Sequence, residues 1–199
     1  IIVVDMIKIA ITGNIAAGKS VVEKILKDLH YPVIDTDKIV HDLFKNSEDL
    51  NILLRRTFRD YNIYTEGVID RQKLAKVVFS NPKLLKQLES ITHPFVIDEV
   101  MKFFEKNSHE IFTFVSVPLL YEVHWGYLFD KVIVVAANDE IRKQRLIERR
   151  NLTEEDAIKR MQAQITQEEK IKFADFVIYN NTNYIDLNRQ ITEVLTQLI

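Results

Sequence analysis

The chain has 199 residues, 47% hydrophobic and 28% charged, and 27 Lys+Arg against 29 Asp+Glu give a formal net charge of −2. That is the composition of one globular domain able to bury its own core, and near-neutrality gives no global reason to expect nucleic acid or an anionic membrane as partner. Cysteine is absent, which excludes disulfides, thiolate catalysis, Cys-ligated zinc and iron–sulfur clusters, and fits a reducing, cytoplasmic setting. No apolar run approaches the roughly 18 residues of a membrane span. The opening Ile1–Met6 is apolar but short, contains Asp5, and lacks the basic start and small-residue cleavage site of a secretory signal.

In chain order, IKIAIT (7–12) reads as a strand, followed by a glycine-containing turn and a helix from about Lys19 to His30. PVID (32–35) reads as a second strand. Residues 36–107 show helical periodicity and no strong strand signal. Ile39, Val40, Leu43 and Phe44 share one apolar stripe; Asn81-Pro82 opens a helix lined by Leu84, Leu85, Leu88 and Ile91, and His93-Pro94 is expected to break it. IFTFVSV (111–117), KVIVVAA (131–137) and FVIY (176–179) are three further strand candidates. Between the last two lies a charged helical region from Asp139 to about Lys170. It is broken at Asn151-Leu152-Thr153, with Thr153 as N-cap and Asp156 at N3. Near-continuous apolar runs separated by helices predict an α/β fold: a three-layer αβα core on a parallel sheet of about five strands, with a helical lobe inserted after the second strand.

The strongest chemical signal is Gly13-Asn14-Ile15-Ala16-Ala17-Gly18-Lys19-Ser20, which fits G-x-x-x-x-G-K-[ST] between a strand and a helix. Gly13 permits a sharp turn, and Gly18 permits close backbone approach to phosphate oxygens. The loop N–H groups and the helix start form an anion nest, Lys19 is placed to reach the β- and γ-phosphates, and Ser20 is placed to ligate Mg²⁺. The plain alternative is a chance match on a strand–turn–helix unit. The motif gives nucleotide-phosphate binding and no more. A GTPase should add D-x-x-G and N-K-x-D, and neither is present; motors and helicases need a strand ending in an acid, whereas 111–117 ends Val115-Ser116-Val117-Pro118. A small P-loop kinase remains.

Asp35-Thr36-Asp37 closes the second strand, where open α/β sheets bind ligands. In extended chain the two carboxylates face one side; Asp37 is the candidate base or acceptor-orienting group, and Asp35 a candidate holder of a metal-bound water. The alternative is an N-cap for a helix beginning near Lys38. Arg142, Arg145 and Arg149 share one helical face and suit a clamp on a transferring phosphoryl group; the alternative is a solvated face paired with Glu140 and Glu148. The five histidines show no metal-ligand spacing. His93 is a substrate-binding candidate, with capping or packing as the alternative.

Together these residues resemble the dephospho-CoA kinase family from about residue 7 to residue 182. The similar blocks are ITGNIAAGKS (11–20), VIDTD (33–37), Val68-Ile69-Asp70-Arg71, Ile91-Thr92-His93-Pro94, Val117–Glu122, Arg145-x3-Arg149 with Thr153, Arg160 and Gln164, and Ala174–Asn181. The resemblance implies that Gly13, Asn14, Ile15, Ala16, Ala17, Gly18, Lys19, Ser20 and Val21 bind ATP and Mg²⁺, with Asn180 and Asn181 beside the adenine. It implies that Asp37 acts on the ribose 3′-hydroxyl, that Asp35, Arg71, His93 and Glu122 lie by the acceptor, and that Arg145 and Arg149 clamp from a lid. The family usually carries Gly where this chain has Asn14 and Ala16, and Thr where it has Val21. Ala16 costs little at negative φ and on the order of 1 kcal/mol or more if left-handed.

The expected organisation is a nucleotide-binding core at 1–37, 108–138 and 171–199, an acceptor lobe at 38–107 and a lid at 139–170. The expected activity is transfer of the ATP γ-phosphoryl group to dephospho-CoA, the last step of CoA biosynthesis, without nucleic-acid or membrane partners. Two alternatives stand beside it: a kinase for another small acceptor such as a nucleoside or nucleoside monophosphate, and a non-catalytic ATP-binding module. Oligomeric state is not legible from the sequence.

Overall fold

The structure, a computed structural model, describes residues 5–198, so most of the Ile1–Met6 stretch lies outside the described residues. A five-stranded sheet is built from β1 (Ile7–Thr12), β2 (Val33–Asp35), β5 (Phe112–Ser116), β6 (Lys131–Ala136) and β7 (Phe176–Tyr179), in the order β2-β5-β1-β6-β7. The β5–β1, β1–β6 and β6–β7 ladders are parallel. The five predicted strands are these five, and the predicted α/β class holds. β1 lies centrally, so both its faces are covered and Ile9, Ala10 and Ile11 are fully buried; this is why its sequence reads as a run rather than an alternation.

The helices that connect these strands are α1 (Lys19–Asp28), α6 (Asp139–Arg150), α7 (Glu154–Gln162) and α8 (Gln167–Lys172), and the chain ends in α9 (Tyr184–Leu198). Val22, Ile25 and Leu26 of α1 and Leu187, Ile191, Val194 and Leu195 of α9 join Ile9, Ile11, Phe112, Phe114, Ile133 and Val135 in one apolar core. Thr153 caps α7 as expected, its hydroxyl accepting from Asp156 N–H at 3.1 Å. Asn151, at φ 50°, ends α6 in the left-handed conformation that asparagine tolerates. No helix among the described residues is long and apolar enough to cross a membrane.

The chain forms two compact units, one from the residues up to Ile34 and from Asn107 onward, the other from Asp35–Lys106. The second contains α2 (Thr36–Asn46), α3 (Glu48–Thr57), α4 (Arg71–Phe79) and α5 (Pro82–Lys106), gathered around Phe44, Leu50, Leu54, Phe58, Ile63, Ile69, Leu74 and Val78. Three expectations need correction here. Residues 36–107 do hold strands: β3 (Tyr64–Thr65) and β4 (Val68–Ile69) pair antiparallel across Glu66-Gly67, both at positive φ, the requirement of a tight hairpin turn. Two-residue strands leave no period to read. Next, α2 begins at Thr36 rather than near Lys38.

The third correction concerns Pro94, which does not break its helix; α5 runs 25 residues through it. Proline removes one backbone donor, a loss that burial of Thr92, Val96, Val100 and Phe104 along the same helix outweighs. Thr92 turns its hydroxyl back onto Leu88 O at 2.8 Å, a bond that accommodates bending. His93 beside it is half-buried, and burial lowers its pKa although Glu89 opposes the shift. Folding therefore favours the neutral imidazole, and the unfolded chain binds the extra proton. The contribution is full above the ordinary histidine pKa and is lost as pH falls below it. Thermal midpoints should drop between about pH 7.5 and about pH 5.5, and His93→Gln should make the drop smaller. An unchanged pH profile in the variant would place the acid sensitivity elsewhere.

Candidate active site

β1 delivers the chain into the loop Gly13–Gly18, and α1 carries it out again. Gly13 is dictated by close approach to backbone, and Gly18 by its left-handed conformation. A Cβ at Gly13 would lie 2.4 Å from Val135 O, and one at Gly18 would lie 1.9 Å from Asn180 Nδ2, with Gly18 at φ 97°. The loop's carbonyls are occupied from outside. Ile15 O accepts from Arg142 Nε at 3.0 Å, Ala16 O from Arg145 Nη1 at 3.1 Å, and Ala17 O from Asn180 Nδ2 at 2.9 Å. Carbonyl and N–H point oppositely across a trans peptide. Tying down the Ile15 and Ala17 carbonyls therefore turns the Ala16 and Gly18 N–H groups the other way, the arrangement an anion nest requires.

The departures from the family pattern acquire a physical meaning. Asn14 is buried at 4% exposure and donates to Ile165 O at 2.7 Å, while Gln164 Oε1 accepts from Ile15 N–H at 2.8 Å. The side chain a glycine would lack thus ties the loop to the segment between α7 and α8. Ala16 stands at φ 63°, so it occupies the costly left-handed branch, on the order of 1 kcal/mol. Val21 is half-buried against the apolar core.

Two of the three arginines on the α6 face, Arg142 and Arg145, are turned into the protein rather than solvated. Arg142 is 3% exposed and also pairs with Asp139 at 2.8 Å. Arg145 adds a bond to Asn180 O at 2.8 Å. Burial lowers the pKa of both guanidinium groups, and the neighbouring Arg149 charge lowers that of Arg145 further. Arg149 is exposed. The predicted partners are engaged elsewhere, Glu140 with Lys143 and Glu148 with Gln144. Asn181 Oδ1 accepts from Asn138 N–H at 2.8 Å, holding the turn after β7 to the start of α6.

Lys19 extends from the first position of α1. Its Nζ donates to Ser116 Oγ at 2.6 Å and to Glu23 Oε1 at 3.3 Å. Ser20 beside it is exposed. Glu122, after β5, meets the fully buried Lys170 of α8 at 2.9 Å, an ion pair whose angle is poor for a hydrogen bond. Lys170 Nζ also donates to Pro118 O at 3.4 Å. Sequence reading did not single out Glu23 or Lys170. Glu23 had a usable signal, lying four residues after Lys19 and so on the same helical face. Lys170 had none, since one lysine in a charged helix looks like any other.

Asp35, Asp37, Arg71 and His93 belong to the second unit. The expectation that both carboxylates stand on one side of extended chain is corrected: Asp35 is extended and caps α2, its Oδ1 accepting from Asp37 N–H at 2.9 Å, whereas Asp37 is helical and exposed. The capping role falls on Asp35, leaving the Asp37 carboxylate available. Arg71 opens α4, approaches His41 Nδ1 at 3.1 Å and lies over the Phe44 ring at 5.8 Å.

A parallel sheet whose central strand feeds a glycine-flanked loop and then a Lys-Ser helix start defines a phosphate-loop nucleotide-binding protein of the kinase type. The family model described as dephospho-CoA kinase matches residues 7–186. The dephospho-CoA kinase of Aquifex aeolicus is 35% identical over 97% of this chain and 98% of its own length. Among solved structures, a Thermus thermophilus protein superposes with TM-score 0.86 at 35% identity, covering 98% of each chain. Dephospho-CoA kinase from Campylobacter jejuni superposes with TM-score 0.64 at 30% identity, covering 96% of each. The chain belongs to the dephospho-CoA kinase family.

Two predictions follow from the local geometry. Ala16→Gly should raise stability by about 1 kcal/mol by relieving the left-handed alanine, partly offset by glycine's greater chain entropy; a lower thermal midpoint would contradict that conformation. Asp35→Ala should cost about 1 kcal/mol through the lost cap, while Asp37→Asn should leave the midpoint nearly unchanged. Equal losses would mean that both acids serve the helix.

Proposed function

We propose that the chain transfers the γ-phosphoryl group of ATP to the ribose 3′-hydroxyl of dephospho-CoA, giving CoA and ADP, the last step of CoA biosynthesis in the cytoplasm. The observation that carries this reading is the phosphate loop with Lys19 at its exit, in a chain matched to the dephospho-CoA kinase family over residues 7–186. In the reaction the 3′-oxygen bonds to the γ-phosphorus, the bond from that phosphorus to the β,γ-bridging oxygen breaks, and the hydroxyl proton passes to Asp37. Lys19, Arg145 and Arg149 offset the charge spread over the transferring group. Gly13–Val21 cradle the phosphates, and Asn180 and Asn181 lie toward the adenine. Residues 139–170 act as a lid that excludes water and 38–107 as the acceptor lobe, and Asp35, Arg71, His93 and Glu122 are the acceptor-binding residues of this reading.

Mg²⁺ is the divalent ion that this chemistry calls for, and the donor set fits it. Ser20 offers an exposed hydroxyl beside Lys19, and no cluster of three or more His, Asp or Glu among the described residues competes as a cage. The ion's other ligands would then be phosphate oxygens and water, its usual preference. When bound it neutralises charge on the β- and γ-phosphates.

ADP release should be strong with dephospho-CoA and weak with adenosine, AMP, CMP or shikimate. Preference for another acceptor would keep the phosphate chemistry and reassign the acceptor lobe; ATP binding without turnover on any acceptor would make the chain a binding module. Lys19→Ala and Asp37→Asn should each lower kcat about a hundredfold or more, and Asp37→Asn should leave ATP affinity within about threefold. Near-wild-type turnover in either variant would remove that residue from the mechanism. Arg149→Ala should slow transfer while leaving dephospho-CoA binding in the absence of ATP nearly unchanged.

A further inference from the structure

The end of β5 carries no acid: it reads Val115-Ser116-Val117 where many phosphate-loop proteins place a carboxylate for the metal. Yet a carboxylate is there. Glu23 of α1 is 6% exposed, and its Oε1 accepts from Ser116 Oγ at 2.6 Å and from Lys19 Nζ at 3.3 Å. Glu23 lies three residues after Ser20, so the two side chains are neighbours on one face of α1. We propose that Glu23, working with Ser116, is the metal-site acid of this chain: it holds the hydration shell of the divalent ion that accompanies ATP, from a helix rather than from the strand end.

The argument is one of charge balance. Lys19 and Glu23 pair beside Ser116. ATP phosphates would draw the Lys19 ammonium away, leaving Glu23 buried, charged and without its cation. An uncompensated buried charge costs several kcal/mol. A divalent ion entering with the phosphates supplies the missing positive charge beside Ser20. Glu23 therefore opposes binding of metal-free ATP and favours binding of the metal complex, a coupling between two ligands of one site. A purely structural pair would couple to neither.

This inference rests on the loop being an ATP site and is independent of the acceptor. The test measures affinity for a non-hydrolysable ATP analogue by calorimetry, in EDTA and in Mn²⁺, with Mn²⁺ occupancy followed by paramagnetic resonance and folding by thermal midpoint. In wild type, Mn²⁺ should tighten analogue binding strongly. In Glu23→Gln, an isosteric change that keeps a partner for Ser116, that enhancement should shrink by about tenfold, with metal-free binding unchanged or tighter. Adding Ser116→Asp to Glu23→Gln returns an acid to the strand end and should restore most of the enhancement. The same enhancement in wild type and Glu23→Gln would overturn the proposal, as would equal weakening with and without metal, which would make Glu23 only a support for Lys19. Failure of wild type to bind the analogue at all would overturn the ATP-site reading and this inference with it.

Discussion

Everything at the site depends on how tightly the phosphate loop is wrapped. Gly13 runs against the backbone of β6 at a separation that leaves no room for a side chain, and Gly18 stands at a left-handed φ of 97° beside the Asn180 amide. The loop cannot be floppy under that constraint, and its outward carbonyls are claimed one by one by Arg142, Arg145 and Asn180. Fixing the Ile15 and Ala17 carbonyls turns the Ala16 and Gly18 N–H groups to the opposite side, as an anion nest requires. The residues that make these contacts come from α6 and from the turn after β7, which is why a motif eight residues long needs a sheet of five strands behind it.

The same wrapping explains how the chain tolerates departures from a glycine-rich loop. Asn14 replaces conformational freedom with a tie to Ile165, and Gln164 binds the next N–H. Ala16 keeps the left-handed backbone that glycine adopts without penalty, and its carbonyl is held by Arg145. A strained residue persists when its surroundings over-determine its conformation, and here they do. Charge follows the same pattern: the buried Arg142 meets Asp139 and the Ile15 carbonyl, and the partly buried Lys19 meets Glu23 and Ser116.

Much of this was legible in the sequence. The five strands stood out because a buried parallel sheet demands unbroken apolar runs, and the phosphate loop stood out because its glycines and Lys-Ser pair sit at fixed spacing between a strand and a helix. The Thr153 cap was readable from its own chemistry. What escaped depended on distant partners. Pro94 looked like a helix end, and only the buried stripe from Thr92 to Phe104 shows why the helix continues. The β3–β4 hairpin was too short to carry a period. That Asp35 rather than Asp37 caps α2 depended on where the helix begins, at Thr36 and not near Lys38. The spacing of Glu23 from Lys19 was readable, but nothing local announces that Ser116, almost a hundred residues later, lies against it.

The central claim is that this loop and its cations carry a phosphoryl group to a ribose 3′-oxygen. Phosphorus-31 resonance on a mixture of the chain, ATP, Mg²⁺ and dephospho-CoA tests it most directly. The account predicts a new phosphomonoester signal at the ribose 3′ position, growing in step with ADP and without free phosphate. ADP accompanied only by inorganic phosphate, or a phosphoryl group on any other oxygen, would contradict it.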